Sequence, residues 1–428
     1  MPETRRKAAV IGGNRIPFAR AHGAYARASN LDMLTSTLDG LAARFGLAGQ
    51  RLGEVAGGAV LKHSRDRDLT REAVLGSTLS PYTPAYDVQQ ACGTGLETVV
   101  LIANKIALGQ LESGVAAGVD TASDAPIALN DDLRRVLMAL NSAKTLGARI
   151  VALRGLRPGQ IVPEIPRNAE PRTGLSMGEH AAQTALEWQV GRAEQDELTV
   201  ASHRNLAAAY DRGFFDDLVT PYLGLTRDQN LRSDTSVEKL AKLKPVFGRG
   251  DGATMTAGNS TPLTDGASAV LLGSDEWAAE HRLPVLAHVV DAETAAVDFV
   301  HGGDGLLTAP VYAVPRLLER NALTLQDFDF YEIHEAFAST VLATLKAWED
   351  PAFAKERLGL DTPLGAIDPA LLNVTGSSLA TGHPFAATGG RIVATLAKLL
   401  HEKGAPARGL LSICAAGGQG VVAILEAA

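Results

Sequence analysis

The chain has only two thiols in 428 residues, Cys92 and Cys414, and each stands in a glycine-rich setting. A lone cysteine is ordinarily a small buried hydrophobe, so its surroundings must make any argument for chemistry. Cys92 opens Cys92-Gly93-Thr94-Gly95, which runs into the Ala-, Leu-, Ile- and Val-rich stretch from 96 to 108. A cysteine at a helix N-terminus feels the positive end of the dipole, which favours thiolate and predicts a pKa lowered from about 8.5 toward neutrality. Glycines at 93 and 95 would let backbone N–H groups approach a bound carbonyl, as an oxyanion hole requires. Cys414 ends an apolar run and leads into Ala415-Ala416-Gly417-Gly418-Gln419-Gly420. It reads either as a core thiol or as the start of a second close-approach loop. His383, in Gly382-His383-Pro384, projects from a segment of small residues and reads equally as a helix-capping turn residue or as a base.

The elements that must position these residues alternate between apolar β-branched runs and Ala-rich stretches, a pattern of α/β architecture with buried strands. Residues 7–11 read as an opening strand, 96–108 as a helix and 114–119 as a strand, placing Cys92 at a turn feeding a helix. The arrangement recurs near the C-terminus: a small-residue turn at 383–390, a helix at 391–401 and a strand at 410–414. Gly95 to Gly114 and Gly390 to Gly409 have equal spacing, which hints at an internal duplication. Between the halves, Pro158, Pro163, Pro166 and Pro171 punctuate a stretch that precedes a helical run at 177–210. Residues 130–250 therefore read as an inserted domain.

Several chemistries lose their support. His334-Glu335-Ala336-Phe337-Ala338 begins like a zinc protease motif, but Ala338 stands where the second histidine belongs, so no metal is expected. GxGxxG, GxxxxGK[ST] and GxSxG are absent, which argues against dinucleotide binding, phosphoryl transfer and the serine hydrolase elbow. Two cysteines this far apart make no disulfide framework. A formal charge of −8 argues against a general nucleic-acid binder, so a polyanion must meet a local basic patch. Residues 131–172 offer one: Arg134, Arg135, Lys144, Arg149, Arg154, Arg157, Arg167 and Arg172 face only Asp131, Asp132, Glu164 and Glu170 in sequence. That excess equally suits a solvated loop. No uninterrupted apolar run is long enough for a membrane span, and residues 1–7 lack a signal-peptide core, so a cytoplasmic location is expected.

Taken together, in order and over nearly the whole chain, these segments resemble the thiolase family. Asn14-Arg15-Ile16-Pro17-Phe18 is similar to its N-terminal signature, and Gln90-Ala91-Cys92-Gly93-Thr94-Gly95 to its nucleophile block. Gly118 to Ser123, Thr256 to Thr261 with Asp265-Gly266-Ala267, His334 to Ala338, Gly382-His383-Pro384 and Cys414 to Gly420 complete the set. The HEAF and CAAGGQG forms look most like the β subunits of fatty-acid oxidation complexes; many thiolases have Asn at the place of His334 and Gly at that of Ala416.

The resemblance implies a five-layered αβαβα fold of two similar halves, residues 1–129 with 251–283 and residues 284–428, plus an inserted loop domain at 130–250 that helps bind CoA. It implies a 3-ketoacyl-CoA thiolase or acetyl-CoA C-acyltransferase working by a ping-pong mechanism through a Cys92 acyl-enzyme. His383 would be the activating base and Cys414 the acid/base at the substrate α-carbon. His383 and His334 would serve the first oxyanion, and the backbone N–H groups of Cys92 and Ala416 the second. Thr261, Met177, Ala336 and Phe337, with Arg134, Arg135 and Arg149, are the expected substrate-binding residues. Coenzyme A is a substrate, with neither metal nor redox cofactor implied. A homodimer or tetramer is expected, with a hydratase/dehydrogenase α subunit as a further partner. The rivals are a decarboxylating ketoacyl synthase, against which Cys414 in its glycine loop argues, and a catalytically inactive, lipid-binding relative.

Overall fold

The computed structural model describes residues 6–166, 168–250 and 252–428. Nine strands lie along one continuous sheet: β1 (Ala8–Arg15), β2 (Glu54–Gly57), β3 (Ala85–Asp87), β4 (Ser113–Asp120), β5 (Thr264–Gly273), β6 (Ala287–Ala296), β7 (Phe330–Ile333), β8 (Arg408–Ala415) and β9 (Gln419–Ala427). Their spatial order is β7-β8-β9-β6-β1-β5-β4-β2-β3, with the short strand Ala19–Arg20 paired to β5 off this path.

The order displays the duplication. In the first half β1 pairs antiparallel with β5, β5 antiparallel with β4, and β4 parallel with β2. In the second, β6 pairs antiparallel with β9, β9 antiparallel with β8, and β8 parallel with β7. The halves meet where β1 pairs with β6 over three residues.

Side-chain alternation along these strands separates three cores. Val115, Ala117 and Val119 of β4 and Ala267, Ala269 and Leu271 of β5 face helices α1 (Asn30–Phe45) and α2 (Leu69–Gly76). On their other face, Ala116, Val270 and Leu272 join a central core around α3 (Thr94–Ala107) and a late helix, Ala387–Lys403. Val421, Ala423 and Leu425 of β9 enter that same core, whereas Val422 and Ile424 point to the opposite layer, which holds the helices Ala309–Asn321 and Ala338–Glu349. The result is five layers, αβαβα, with α3 and the late helix in the middle.

The glycines at 389 and 390, read from sequence as part of a turn, lie inside the late helix, which begins at Ala387 rather than 391. Their role is close helix contact: a Cβ on Gly389 would fall 2.1 Å from the Leu96 nitrogen, and one on Gly95 would fall 2.4 Å from the Ala386 oxygen. The run expected at 177–210 is two helices, α6 (Met177–Glu187) and α7 (Arg192–Asp211), because Gln189 turns the chain with φ 50°.

The stretch 130–250 behaves in two ways. Helices α4 (Asp131–Ser142) and α5 (Leu146–Leu153) bury no residue, whereas Leu206, Tyr210, Phe214 and Phe215 enter the central core. Asp228 secures this second part to the N-terminal strand region. It accepts from both terminal nitrogens of buried Arg15 at 2.6 and 2.8 Å, from the Phe18 N–H and from the Tyr210 hydroxyl. Losing either partner of such a buried pair strands the other charge, at a cost of about 3–5 kcal/mol.

Candidate active site

Cys92 sits just before α3, whose first residue is Thr94 and whose cap is Gly93. The turn that presents it is held at Ala91, where φ is 46°, an uncommon backbone state for a residue with a Cβ. Thr94 stabilises it by donating its hydroxyl to the Ala91 carbonyl at 2.7 Å and accepting from the Gln90 N–H at 2.8 Å. The middle of the molecule brings the other half to the same point. His383, 291 residues further on, places Nε2 3.1 Å from Cys92 Sγ, while its Nδ1 lies 2.6 Å from Thr388 Oγ1.

Cys414 and Ala416 arrive on the hairpin between β8 and β9. Cys414 is buried, packs with Leu307, Ala336, Phe337 and Ala343, and is close enough to Cys92 for a negative charge there to raise its own pKa. The hairpin turns through Gly417 and Gly418, at φ 81° and 70°. A Cβ on Gly418 would approach the Val297 oxygen to 2.7 Å, so glycine is required there both by conformation and by space. Ala416 stays out of the left-handed region, and its N–H, like that of Cys92, is directed to Cys92 Sγ. The alanine that replaces the usual glycine therefore keeps its backbone donor.

His334 follows β7 and stands beside His383, ring centres 4.1 Å apart. Asn373 clamps the end of β7, donating to the Ile333 carbonyl and accepting from its N–H. Glu335 points away from the thiols into an anchoring role, accepting from Ser202 Oγ, Asn373 Nδ2 and the Leu379 N–H.

Burial dominates the electrostatics. Cys92 is half-buried, and loss of solvation pushes its thiol up to about 12, against the opposing pull of the Ala416 and Cys92 N–H groups. His383 is pushed down to about 3 by burial, with Arg391 adding to the shift. His334 is lowered well below the usual imidazole range by burial and by His383 and Arg391. The helix dipole expected to favour thiolate is thus opposed: the helix start is present, but loss of solvation raises the Cys92 thiol and lowers the His383 imidazole, and both shifts favour a neutral thiol against a neutral imidazole. Such a pair can still react, because the proton can move to Nε2 as sulfur attacks.

A cavity of about 600 Å³ opens onto Cys92 and Ala416. Val60, Leu61, Ala122, Leu263, Met177 and Phe385 supply much of its apolar wall. Of the expected substrate residues, Met177 lines it. Thr261, Ala336 and Phe337 are not among its lining residues and interlock: Thr261 donates its N–H and hydroxyl to the Ala336 carbonyl, both at 3.1 Å, and Ser260 bridges to Phe337. Arg134, Arg135 and Arg149 lie on α4 and α5 and are not among the cavity-lining residues; Arg134 and Arg135 pair with Asp131 in solvent. Arg167 falls outside the described residues.

The comparisons with known proteins agree with this architecture. Residues 8–276 match the N-terminal thiolase domain and residues 283–427 the C-terminal thiolase domain. The chain belongs to the thiolase family. This thiolase is similar to the 3-ketoacyl-CoA thiolase of Yersinia enterocolitica, 37% identical over 98% of this chain and 96% of the relative. It is also similar to that of Pectobacterium carotovorum, 38% identical over 99% and 98%. Among solved structures it resembles the Bacillus anthracis acetyl-CoA acetyltransferase, with a TM-score of 0.81, 28% identity and 99% of each chain covered. No helix among the described residues is long and apolar enough to cross a membrane.

Residues that sequence reasoning passed over complete this thiolase site. Glu170 accepts from the Gly417 N–H at 2.7 Å and so ties the inserted stretch to the hairpin carrying Ala416. Thr388 orients His383, and Ser378 lies 2.8 Å from His334 Nδ1. Thr388 lay five residues beyond His383 and could have been singled out; Ser378 and Glu170 had no signal beyond their polarity.

Proposed function

We propose that this chain is a 3-ketoacyl-CoA thiolase that transfers an acyl group through Cys92. The observation that carries the reading is the 3.1 Å approach of His383 Nε2 to Cys92 Sγ, with the second thiol, Cys414, at the same site. In the cleavage direction Cys92 Sγ attacks the 3-keto carbon while its proton passes to His383. The C2–C3 bond then breaks, and Cys414 gives its proton to C2, releasing acetyl-CoA. The incoming CoA thiol passes its proton to Cys414 and attacks the acyl-cysteine; Cys92 leaves and recovers its proton from His383. Atoms and charges balance without a metal or redox group, and coenzyme A is a substrate rather than a resident cofactor.

The transition states bear negative charge on oxygen, which preorganised donors stabilise most. His334 and His383 serve the oxyanion of one step, and the N–H groups of Cys92 and Ala416 that of the other. The locally basic stretch around Arg134, Arg135 and Arg149 attracts the CoA phosphates. The reading includes a homodimer or tetramer, supported by β3 ending the sheet with an unpaired edge among the described residues, and docking to a hydratase/dehydrogenase subunit.

The two cysteines separate in one experiment. Cys92→Ala should take no acetyl group from acetyl-CoA by intact-mass spectrometry, because a methyl group cannot attack a thioester. Cys414→Ala should still be acetylated on Cys92 yet fail to split acetoacetyl-CoA. Label on Cys414, or normal thiolysis by folded Cys414→Ala, would overturn these assignments.

A further inference from the structure

The proton inventory around His334 settles a question that the proposed reaction leaves open, namely which ring nitrogen carries the hydrogen. His334 is 1% exposed, its Nδ1 lies 2.8 Å from Ser378 Oγ, and its Nε2 has no partner among the described residues. Arg391, itself buried, donates from one terminal nitrogen to Ser377 Oγ and Ser378 Oγ, each at 3.1 Å. A guanidinium has donors only. The Ser378 oxygen therefore accepts from Arg391, and the hydroxyl proton must go elsewhere. His334 Nδ1 is its one remaining hydrogen-bond partner among the described residues. The opposite arrangement, with Nδ1–H donating to Ser378, would strand the hydroxyl proton in a fully buried place.

We propose that Ser378 and Arg391 are positioning residues that hold His334 in the tautomer with its proton on Nε2, so that this nitrogen is a donor toward the reacting oxygen. The inference rests on His334 serving as an oxyanion donor in the proposed thiolase reaction, and it explains how a histidine can do so. A neutral imidazole donates from one nitrogen only, and a lone pair at Nε2 would repel the developing oxyanion instead of stabilising it. Protonating the ring is no alternative route, since burial and the neighbouring Arg391 disfavour the cation. Arg391 is pushed down to about 10 by burial and so still donates at neutral pH. His334 and His383 thereby take complementary parts: one presents a hydrogen, while the other, with Nδ1 directed to Thr388, presents a lone pair to Cys92.

The test uses the full-length enzyme labelled with 15N-histidine, the His334 signals being identified by their loss in His334→Gln. The expected spectrum shows Nε2 of His334 protonated and Nδ1 as the acceptor. Ser378→Ala should shift these signals toward the other tautomer and lower kcat for acetoacetyl-CoA by about 10- to 100-fold, since one oxyanion donor is weakened. KM should change little. Ser378→Thr, which keeps the hydroxyl, should restore tautomer and kcat together. Protonation of His334 on Nδ1 in the unaltered enzyme overturns the proposal, as does a folded Ser378→Ala with unchanged tautomer and turnover. Should Ser378→Ala not fold, the spectrum of the unaltered enzyme decides alone. Failure of Cys92 to become acetylated would sink the reaction reading while leaving the tautomer assignment standing.

Discussion

Cys92 at rest should behave as a neutral thiol, and its alkylation by iodoacetamide across pH 6 to 9.5 tests this directly. The perturbation is pH itself. With the thiol held near 12, only about one molecule in 10⁴ carries thiolate at pH 8, against about a quarter for a free cysteine of pKa 8.5. The observed alkylation rate should therefore rise about tenfold per pH unit over the whole range, about three and a half decades in all, with no levelling. The cause is geometric: Sγ has two backbone N–H donors and a helix start nearby, but it is removed from water and faces an imidazole held near 3, too weak a base to take the proton at rest. The assay is intact-mass counting of the Cys92 adduct over time, with Cys92→Ala as the blank. His383→Ala should leave the slope intact while slowing acetyl transfer from acetyl-CoA by about 10²- to 10⁴-fold, the range for one general base. A rate that levels off below about pH 7.5 would mean a resting thiolate–imidazolium pair, and the argument from burial would be wrong.

Replacing His334 with Ala should slow turnover by about 10²- to 10³-fold without unfolding the chain, as for removal of one oxyanion donor, and near-normal turnover would return it to a structural role. CoA affinity should fall as salt rises, and neutralising Arg134, Arg135 and Arg149 together should weaken it; titration calorimetry that finds neither removes this stretch from the binding site. His203 is buried, its Nδ1 accepts from the Arg232 N–H, and its pKa is lowered to about 4, chiefly by burial. Because its folded pKa lies below the unfolded value of 6.5, its neutral form favours the native state above pH 6.5, and that contribution is lost as pH falls through about 4. Between pH 7 and 5 the loss is about 2 kcal/mol, which His203→Gln should abolish in paired urea titrations at the two pH values. An equal acid sensitivity in the variant would mean that His203 is not held neutral.

Much of the fold was legible because burial periodicity is written locally. The strand expected at 114–119 lies within β4, the helix expected at 96–108 is α3, which starts two residues earlier and stops one residue earlier, and the strand expected at 410–414 lies within β8. Misreadings came where a residue's environment is supplied from far away. Gly389 and Gly390 looked like turn glycines, since nothing nearby says that the backbone of Gly95 and Leu96 will press against them. Glu335 and Ser378 carried no local sign of their tasks because their partners, Ser202 and Arg391, come from other elements.

The sequence by itself determined which groups could do chemistry. Thiol, imidazole and glycine-rich loops are matters of residue type and immediate spacing, and they marked Cys92, His383 and Cys414 as candidates, while the choice between their readings and the role of the Ala416 N–H came from the resemblance to the thiolase family. Only the tertiary structure decided their protonation. Solvation, neighbouring charge and hydrogen-bond direction are properties of the packed interior, where α3 meets the late helix and the hairpin of β8 and β9 closes over them. There burial reverses the thiolate expected from the helix dipole, because removing a charge from water costs more than one helix end returns.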